Sequence, residues 1–317
     1  MADVVVLGSL NMDLVAEVDR LPRPGETLEG RGFATVPGGK GGNQAVAVAR
    51  LGVKTAMVGR VGKDGFGQIL RDRLQTERID ISALAASPKL PSGTALITLS
   101  PNNNQIIVIA GANSEVGELD LDRLTPFFNR AKVLLLQFEI PLPTVEKAAA
   151  LARLAGLTVI VDPAPVPIRG EALSADFCEY ISILTPNQTE ASRLSGIEVT
   201  DVEGAIAAAE TLQRKGIEVV VVKMGALGSV CATATGTFAT PAFSVPVTDT
   251  IAAGDAFNGG LAAAICRANP TLSLSNHDTL KPAIDYASAV AALAVTKSGA
   301  QSSMPTAADV RAFLMAR

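Results

Sequence analysis

The sequence predicts an α/β protein built on a parallel sheet. Short, apolar, β-branched runs alternate along the chain with Ala- and Leu-rich stretches of helical spacing. The runs are continuously apolar, as strands are when helices cover both faces of a sheet. Two segments, 14–36 and 93–110, break this rhythm and read as β-ribbons with polar turns, inserted strands that pair into a small separate sheet.

The first run, DVVVLG (3–8), leads into GSLNMD (8–13). This string is not GxGxxG, and no acidic ribose partner follows a second strand, so dinucleotide binding fits poorly. Asn11 and Asp13 sit on alternate positions and face the same way. An amide and a carboxylate together recognise vicinal hydroxyls; a turn-forming Asn and Asp is the plainer alternative. Next comes PGGKGGNQAVAVARLG (37–52), in which Gly38, Gly39, Gly41 and Gly42 surround Lys40 and Asn43 opens an apolar helix. A Walker A loop is excluded, because Gly41 stands where Ser or Thr must follow the Lys and Ala34 where its first Gly belongs. The segment reads as a binding loop whose glycines allow close backbone approach, against the alternative of a flexible loop ending in an Asn cap. After TAMVGRV (55–61), the ribbon at 93–110 carries a hairpin signal around Pro101-Asn102-Asn103-Asn104. Hinged over the carboxyl edge of the main sheet, where ligands collect, such ribbons form a lid.

VLLLQ (133–137) runs into QFEIPLP, placing Glu139 where a core residue is expected. A helical stretch at 143–155, TVIVDP (158–163) and YISILTPN (180–187) follow. Asn187 and Glu190 stand three apart, the spacing of a capping box and equally of a pair sharing a hydrated metal ion. A second helical stretch at 201–215 and the strand IEVVVVKMG (217–225) precede the Gly-spaced VVKMGALGS, which reads as a hairpin lying against a planar base. AFSVPV then alternates like a strand, and VTDTIAAGDAFNGGLAAAI (247–265) opens a buried helix. Ala252-Ala253-Gly254 is a poor cap, since Ser or Thr would serve better. Small residues leave the first-turn N–H groups bare, and bare N–H groups form an anion site. Asp255 beside them is either a dipole-offsetting acid or a base for something attacking the anion.

Composition removes other chemistries. The 317 residues carry 27 basic and 31 acidic side chains, a net charge of −4, with no basic cluster for a nucleic acid. No stretch approaches the ~18–20 apolar residues of a membrane span, and MADVVVLGS enters a strand without the basic start of a secretory leader. Cys178, Cys231 and Cys266 are far apart and read as reduced, buried thiols of a cytoplasmic protein. The single histidine, His277, lies in the polar stretch NPTLSLSNHD and reads as solvated, which disfavours His-based hydrolysis or metal binding.

Taken in order, GSLNMD, GGKGGNQA, TPNQTEA, DTIAAGDAFNGG and GAQSSMP resemble the ribokinase family of sugar and nucleoside kinases over nearly the whole chain. The resemblance implies one domain, 1–317, a three-layer α/β sandwich with a β-lid that also pairs two subunits into a homodimer. It implies transfer of the ATP γ-phosphoryl to the 5-hydroxyl of D-ribose, with Mg²⁺ and an activating K⁺. Asp255 then matches the base, and Ala252, Ala253 and Gly254 the anion hole. Asn11, Asp13, Gly39, Lys40, Gly41, Gly42, Asn43 and Glu139 match the sugar side. Asn187, Glu190, Lys223, Gly225, Ala226, Gly228, Gly254 and Ser288 match the nucleotide side. Asp249, Ile251, Ala294, Lys297, Gly299 and Ser303 match the potassium loop. Lys223 stands where members often carry a hydroxyl, Ser288 where a larger polar side chain often meets adenine, and the loop around 269–280 is long. The competing readings are a kinase of the same family for deoxyribose, fructose, a keto-deoxy acid or a nucleoside, a Rossmann oxidoreductase, and a catalytically silent sugar-binding protein.

Overall fold

A computed structural model describes residues 2–101, 103–166, 173–268 and 273–317. Thirteen strands are present among them: β1 (Val4–Leu7), β2 (Asn11–Glu17), β3 (Gly32–Gly38), β4 (Thr55–Gly62), β5 (Leu84–Ser87), β6 (Gly93–Ser100), β7 (Asn103–Ile109), β8 (Val133–Gln137), β9 (Thr158–Asp162), β10 (Ile183–Leu184), β11 (Val219–Lys223), β12 (Ser229–Thr233) and β13 (Gly236–Thr240). Nine of them make one sheet in the order β13-β12-β11-β10-β9-β8-β1-β4-β5. It is parallel from β11 through β5, and β12 and β13 add antiparallel strands at one edge.

The period of two along β1 divides the core. Val5 and Leu7 face the layer with helices Leu142–Leu154 and Val202–Gln213; Val4 and Val6 face the layer with helices Lys40–Arg50, Ala253–Arg267 and His277–Ala294. Helix Ala253–Arg267 is wedged between its two neighbours. A Cβ on Gly259 would lie 2.4 Å from Ala47 Cβ, and one on Gly260 would lie 3.0 Å from Ala287 Cα, so the glycine pair permits this close approach.

The other four strands form the second sheet, in the order β3-β2-β6-β7. β2 runs antiparallel to β3 and parallel to β6, whose hairpin partner is β7. The strands of this second sheet therefore begin earlier than the 14–36 ribbon suggested. Asn11 and Asp13 belong to this second sheet, after the break at Ser9 and Leu10 that follows β1. The hairpin closes at Ser100↔Asn103, with Asn103 and Asn104 already in β7; Asn102 lies outside the described residues.

One other strand expectation changed. AFSVPV forms no strand: the chain leaves β13 at Thr240, and Pro241 and Pro246 lack the N–H that a ladder needs. VVKMGALGS is a hairpin as expected: β11 and β12 pair antiparallel from Lys223↔Ser229, joined by a short 3₁₀ turn, Gly225–Leu227. His277 opens helix His277–Ala294 and stacks on Phe238 with ring centroids 4.2 Å apart, while its side chain stays 44% exposed, as the solvated reading has it. Part of the long stretch before it, 269–272, lies outside the described residues. The three cysteines are free and buried, and no helix among the described residues is long and apolar enough to cross a membrane.

Candidate active site

The site lies where the carboxyl ends of β1, β8, β9 and β11 meet strand β2 of the second sheet. Helix Ala253–Arg267 starts there without a side-chain cap, and its N-cap residue, Ala252, is left-handed at φ 58° and ψ 15°. Ala253 turns its N–H back to Thr250 O at 3.3 Å. Helix geometry leaves the N–H groups of Gly254 and Asp255 without an i−4 acceptor. Asp255, in the first turn, is only 4% exposed.

Two amides aim the Asp255 carboxylate. Asn43 Nδ2 donates to Oδ2 at 2.9 Å and Gln44 Nε2 to Oδ1 at 3.1 Å, both from the helix that follows the glycine loop. Burial pushes the Asp255 carboxyl up, Lys40 pulls it down, Asp162 pushes it up again, and the two amide bonds favour its charged form. The net direction is upward, towards a stronger base.

Lys40 begins helix Lys40–Arg50, and its backbone N–H donates to Glu139 Oε2 at 3.1 Å. Burial lowers its ammonium, but Asp255, Asp162, Glu139 and Glu190 together raise it well above the usual lysine range. Asp13 is pushed up to about 7, first by burial and then by Glu139 and Asp255. Five carboxyl groups (Asp13, Glu139, Asp162, Glu190 and Asp255) thus share Lys40 and Lys223 as cations.

The glycines of the loop have packing reasons. Gly39 is left-handed at φ 84°, and Cβ atoms at Gly39 and Gly41 would fall 2.6 Å from Asn11 N and 2.7 Å from Ser9 N. At Gly42 a Cβ would meet the Leu10 side chain at 2.8 Å. Gly38 lies directly under Asp13, where a Cβ would clash with the carboxylate at 2.3 Å. The loop therefore folds tightly onto the end of β1 and brings Lys40 and Asn43 together with Asp13 and Asp255.

On the other side, Asn187 caps helix Gln188–Ser195. Its Oδ1 accepts from Glu190 N at 2.9 Å, while Glu190 reaches back to Asn187 N at 2.8 Å. The capping box is real, and it coexists with an electrostatic role: burial and Asp162 push Glu190 up while Lys223 pulls it down. Lys223 ends β11, with its Nζ 3.1 Å from Asp162 Oδ1 and 3.3 Å from where a Cβ on Gly254 would stand. Gly225, Ala226 and Gly228 form the exposed turn beyond it; Gly228 has φ 92° and no room for a side chain against Thr240 O. Ser288 is partly buried in the middle of its helix, with no side-chain hydrogen bond to the other predicted residues.

The 249–251 and 294–303 segments form one staple. Asp249 Oδ1 accepts from Ile251 N and Oδ2 from Gly299 N, each at 2.9 Å. Lys297 N donates to Ala294 O, and buried Ser303 donates to Ala300 O at 2.8 Å. The accepting groups are one carboxylate and backbone carbonyls, all hard oxygens. No cluster of three or more His, Cys, Asp or Glu side chains able to hold a metal occurs among the described residues.

Sequence reasoning missed three residues here. Asn113 donates from Nδ2 to Asn11 Oδ1 at 2.8 Å, beside Gly93, and nothing in its string GANSE signals this. Gln44 was hidden behind its neighbour Asn43. Asp162 ends the buried run TVIVDP, the same signal that singled out Glu139.

Known proteins resemble this chain over nearly its whole length. The chain is 38% identical over 312 residues to a ribokinase of Haemophilus influenzae, covering 98% of both chains. It is 34% identical over 313 residues to a deoxyribokinase of Salmonella typhi, again covering 98% of each. Among solved structures, Arabidopsis thaliana ribokinase complexed with ribose and ATP superposes with a TM-score of 0.86 at 30% identity, over 99% of this chain and 98% of that one. The model of the pfkB family carbohydrate kinases matches residues 1–307. A protein whose fold, helix-start carboxylate and whole-length relatives agree in this way belongs to the pfkB family of carbohydrate kinases.

Proposed function

We propose that this chain transfers the γ-phosphoryl of ATP to the 5-hydroxyl of D-ribose, releasing ribose 5-phosphate and ADP. The observation that carries the reading is Asp255, buried, aimed by two amides and seated at the uncapped start of a helix. Phosphoryl transfer demands alignment and charge stabilisation more than covalent help. Asp255 orients the hydroxyl and accepts its proton as the new O–P bond forms. Ala252, Ala253 and Gly254 present the helix start to the charge on the transferring group, with the Lys223 ammonium beside Gly254.

We assign the sugar to Asn11, Asp13, Lys40, Asn43 and Glu139, with Gly39, Gly41 and Gly42 shaping the loop that carries them. Asn43 Oδ1 is buried without a partner among the described residues, an acceptor waiting for a hydroxyl. We assign the nucleotide to Asn187, Glu190, Lys223, Gly225, Ala226, Gly228 and Ser288.

The charge balance supports a divalent partner. Five carboxyl groups against two lysines repel ATP unless a cation accompanies it. Mg²⁺ keeps most of its water and needs one or two carboxylates plus phosphates, which Glu190 suits. When bound it would neutralise phosphate charge. K⁺ fits the staple of Asp249, Ile251, Ala294, Lys297, Gly299 and Ser303, whose oxygens are hard and mostly carbonyl; it would hold the anion-hole segment in place. Every residue of β7 is exposed, including Ile106, Ile107, Val108 and Ile109, and we read that ribbon as the contact of a homodimer. Three buried free thiols fit a reducing cytoplasm.

The test is an ADP-release assay with ribose, 2-deoxyribose, fructose and adenosine. Ribose should give the highest kcat/KM; a tenfold advantage for fructose or adenosine would overturn the assignment. Deoxyribose is the second reading, because the relative named deoxyribokinase matches the chain as closely as several ribokinases do.

A further inference from the structure

Behind Asp255 the amide bond from Gln44 continues into a buried polar chain that reaches Gln137, Asp162 and Lys223. Gln137 Nε2 donates to Gln44 Oε1 at 2.7 Å. Gln44 Nε2 donates at 3.1 Å to Asp255 Oδ1 and also at 3.1 Å to Asp162 Oδ2. Lys223 then donates to the other Asp162 oxygen at 3.1 Å. Gln44 and Gln137 are fully buried, and Asp162 is 2% exposed.

The orientation of Gln44 is forced. Turned over, its oxygen would face two carboxylate oxygens. Holding it this way leaves Gln137 Oε1 buried without a donor among the described residues. The space beside that oxygen is kept open by Gly8, where a Cβ would fall 1.9 Å away. An orphaned buried acceptor lowers stability, and apolar side chains would fill the same volume without that loss. What the polar chain achieves is placement: one amide ties the carboxylate at the helix start to a second carboxylate, and that one holds a lysine against the same helix start.

We propose that Gln44 and Asp162 are positioning residues for the phosphoryl transfer, Gln44 fixing the aim of Asp255 and Asp162 holding Lys223 beside Gly254. The proposal rests on the kinase reading above. The charged groups around Asp255 are Lys40 at the start of the helix that carries Gln44, Asp162 from β9 and Asp13 from β2, with Lys223 from β11 reaching Gly254. Gln44 supplies an N–H that favours the ionised form of Asp255, whereas Asp162 opposes that form through like charge. The two residues therefore act on the base with opposite sign.

The experiment compares Gln44→Met and Asp162→Asn with the parent protein, using whichever sugar the parent phosphorylates best. If the parent phosphorylates no sugar, the kinase reading fails, and the positioning roles fail with it. Given a working parent, Gln44→Met should lower kcat by about tenfold or more with both KM values within about threefold. The acid limb of its kcat–pH profile should move to higher pH. Asp162→Asn should move that limb to lower pH and raise the KM for ATP, because Lys223 loses its holder. Unmoved limbs and unchanged kcat in folded variants would overturn the proposal. Should Gln44→Met fail to fold, the direction of the Asp162→Asn limb decides alone; failure of both to fold would make the chain purely structural and also overturn it.

Discussion

Helix Ala253–Arg267 and strand β7 are both rich in small or branched apolar residues, yet eleven of the fifteen helix residues are buried and all seven strand residues are exposed. The helix lies between two others at glycine-permitted distance, so its first turn is held by the whole core. The strand is the outer edge of a four-stranded sheet, and nothing in the described chain covers it. On the function proposed above, the proton-accepting carboxylate sits on the first element and the contact with a second copy falls to the second. Asp255 and Asp13 bring the contrast to single residues: both carboxyls are pushed up by burial, but Asp255 is bonded by two amides, while Asp13 rests on Gly38 with no hydrogen-bonded donor among the described residues.

The contrast breaks first at Asp255. Asp255→Asn should lower kcat by ~10²–10⁴, as for loss of a general base. One of its amide partners would then face an N–H instead of an oxygen, costing ~1–2 kcal/mol of stability measurable by denaturant titration. Near-normal turnover would reduce Asp255 to a helix-end charge. Next in size, Asp13→Ala should weaken sugar binding by ~100-fold, the scale of losing hydrogen bonds to a charged acceptor, while calorimetry finds ATP binding retained. Loss of ATP binding with intact sugar binding would invert the two halves of the site.

On the rigid side, replacing K⁺ by Na⁺ should slow the parent about tenfold, and Asp249→Asn should abolish the difference. Equal rates of the parent in both salts would remove the cation from the staple. On the open side, Ile107→Lys places a charge on the uncovered ribbon. The expected result is a monomer by light scattering and a sugar KM raised a few-fold; a parent that is itself monomeric would leave the apolar ribbon without its proposed partner.

The smallest effect concerns Asp13 and pH. Its carboxyl titrates near 7 in the folded chain, against 3.8 for an ordinary aspartate. The folded state therefore binds the extra proton between these values, and stability falls as pH rises through that window. Asp13→Asn removes the loss. Allowing for solvent at a partly exposed group, the gain is about 1 kcal/mol, or ~2–3 °C in Tm, above pH 7 and absent near pH 4. The same titration predicts that the sugar KM of the parent rises below pH 7, as Asp13 becomes neutral and stops accepting from hydroxyls. A flat KM across pH 5–8 would contradict it.

Periodicity and small-residue content made much of this molecule legible before any coordinates. The continuous apolar runs became the parallel sheet, and Ala252-Ala253-Gly254 with Asp255 became a helix start without a side-chain cap. The reason is physical: strand and helix periods are local, and a bare helix N-terminus is defined by the few residues that build it. What was misplaced depended on distant neighbours. AFSVPV had the alternation of a strand but no partner to pair with, and Asn11 and Asp13 seemed to end β1 but open β2 of the second sheet. Asn113 meets Asn11 across 102 positions, Gln44 meets Asp162 across 118, and Lys223 meets Asp162 across 61. Which amide faces which carboxylate, and where burial moves a proton, follow from how the sheet order stacks these strand ends. Local pattern determined the elements and the chemistry at the helix start; only the packed tertiary structure decided the network that aims it, because charge and hydrogen bonding act through space rather than along the chain.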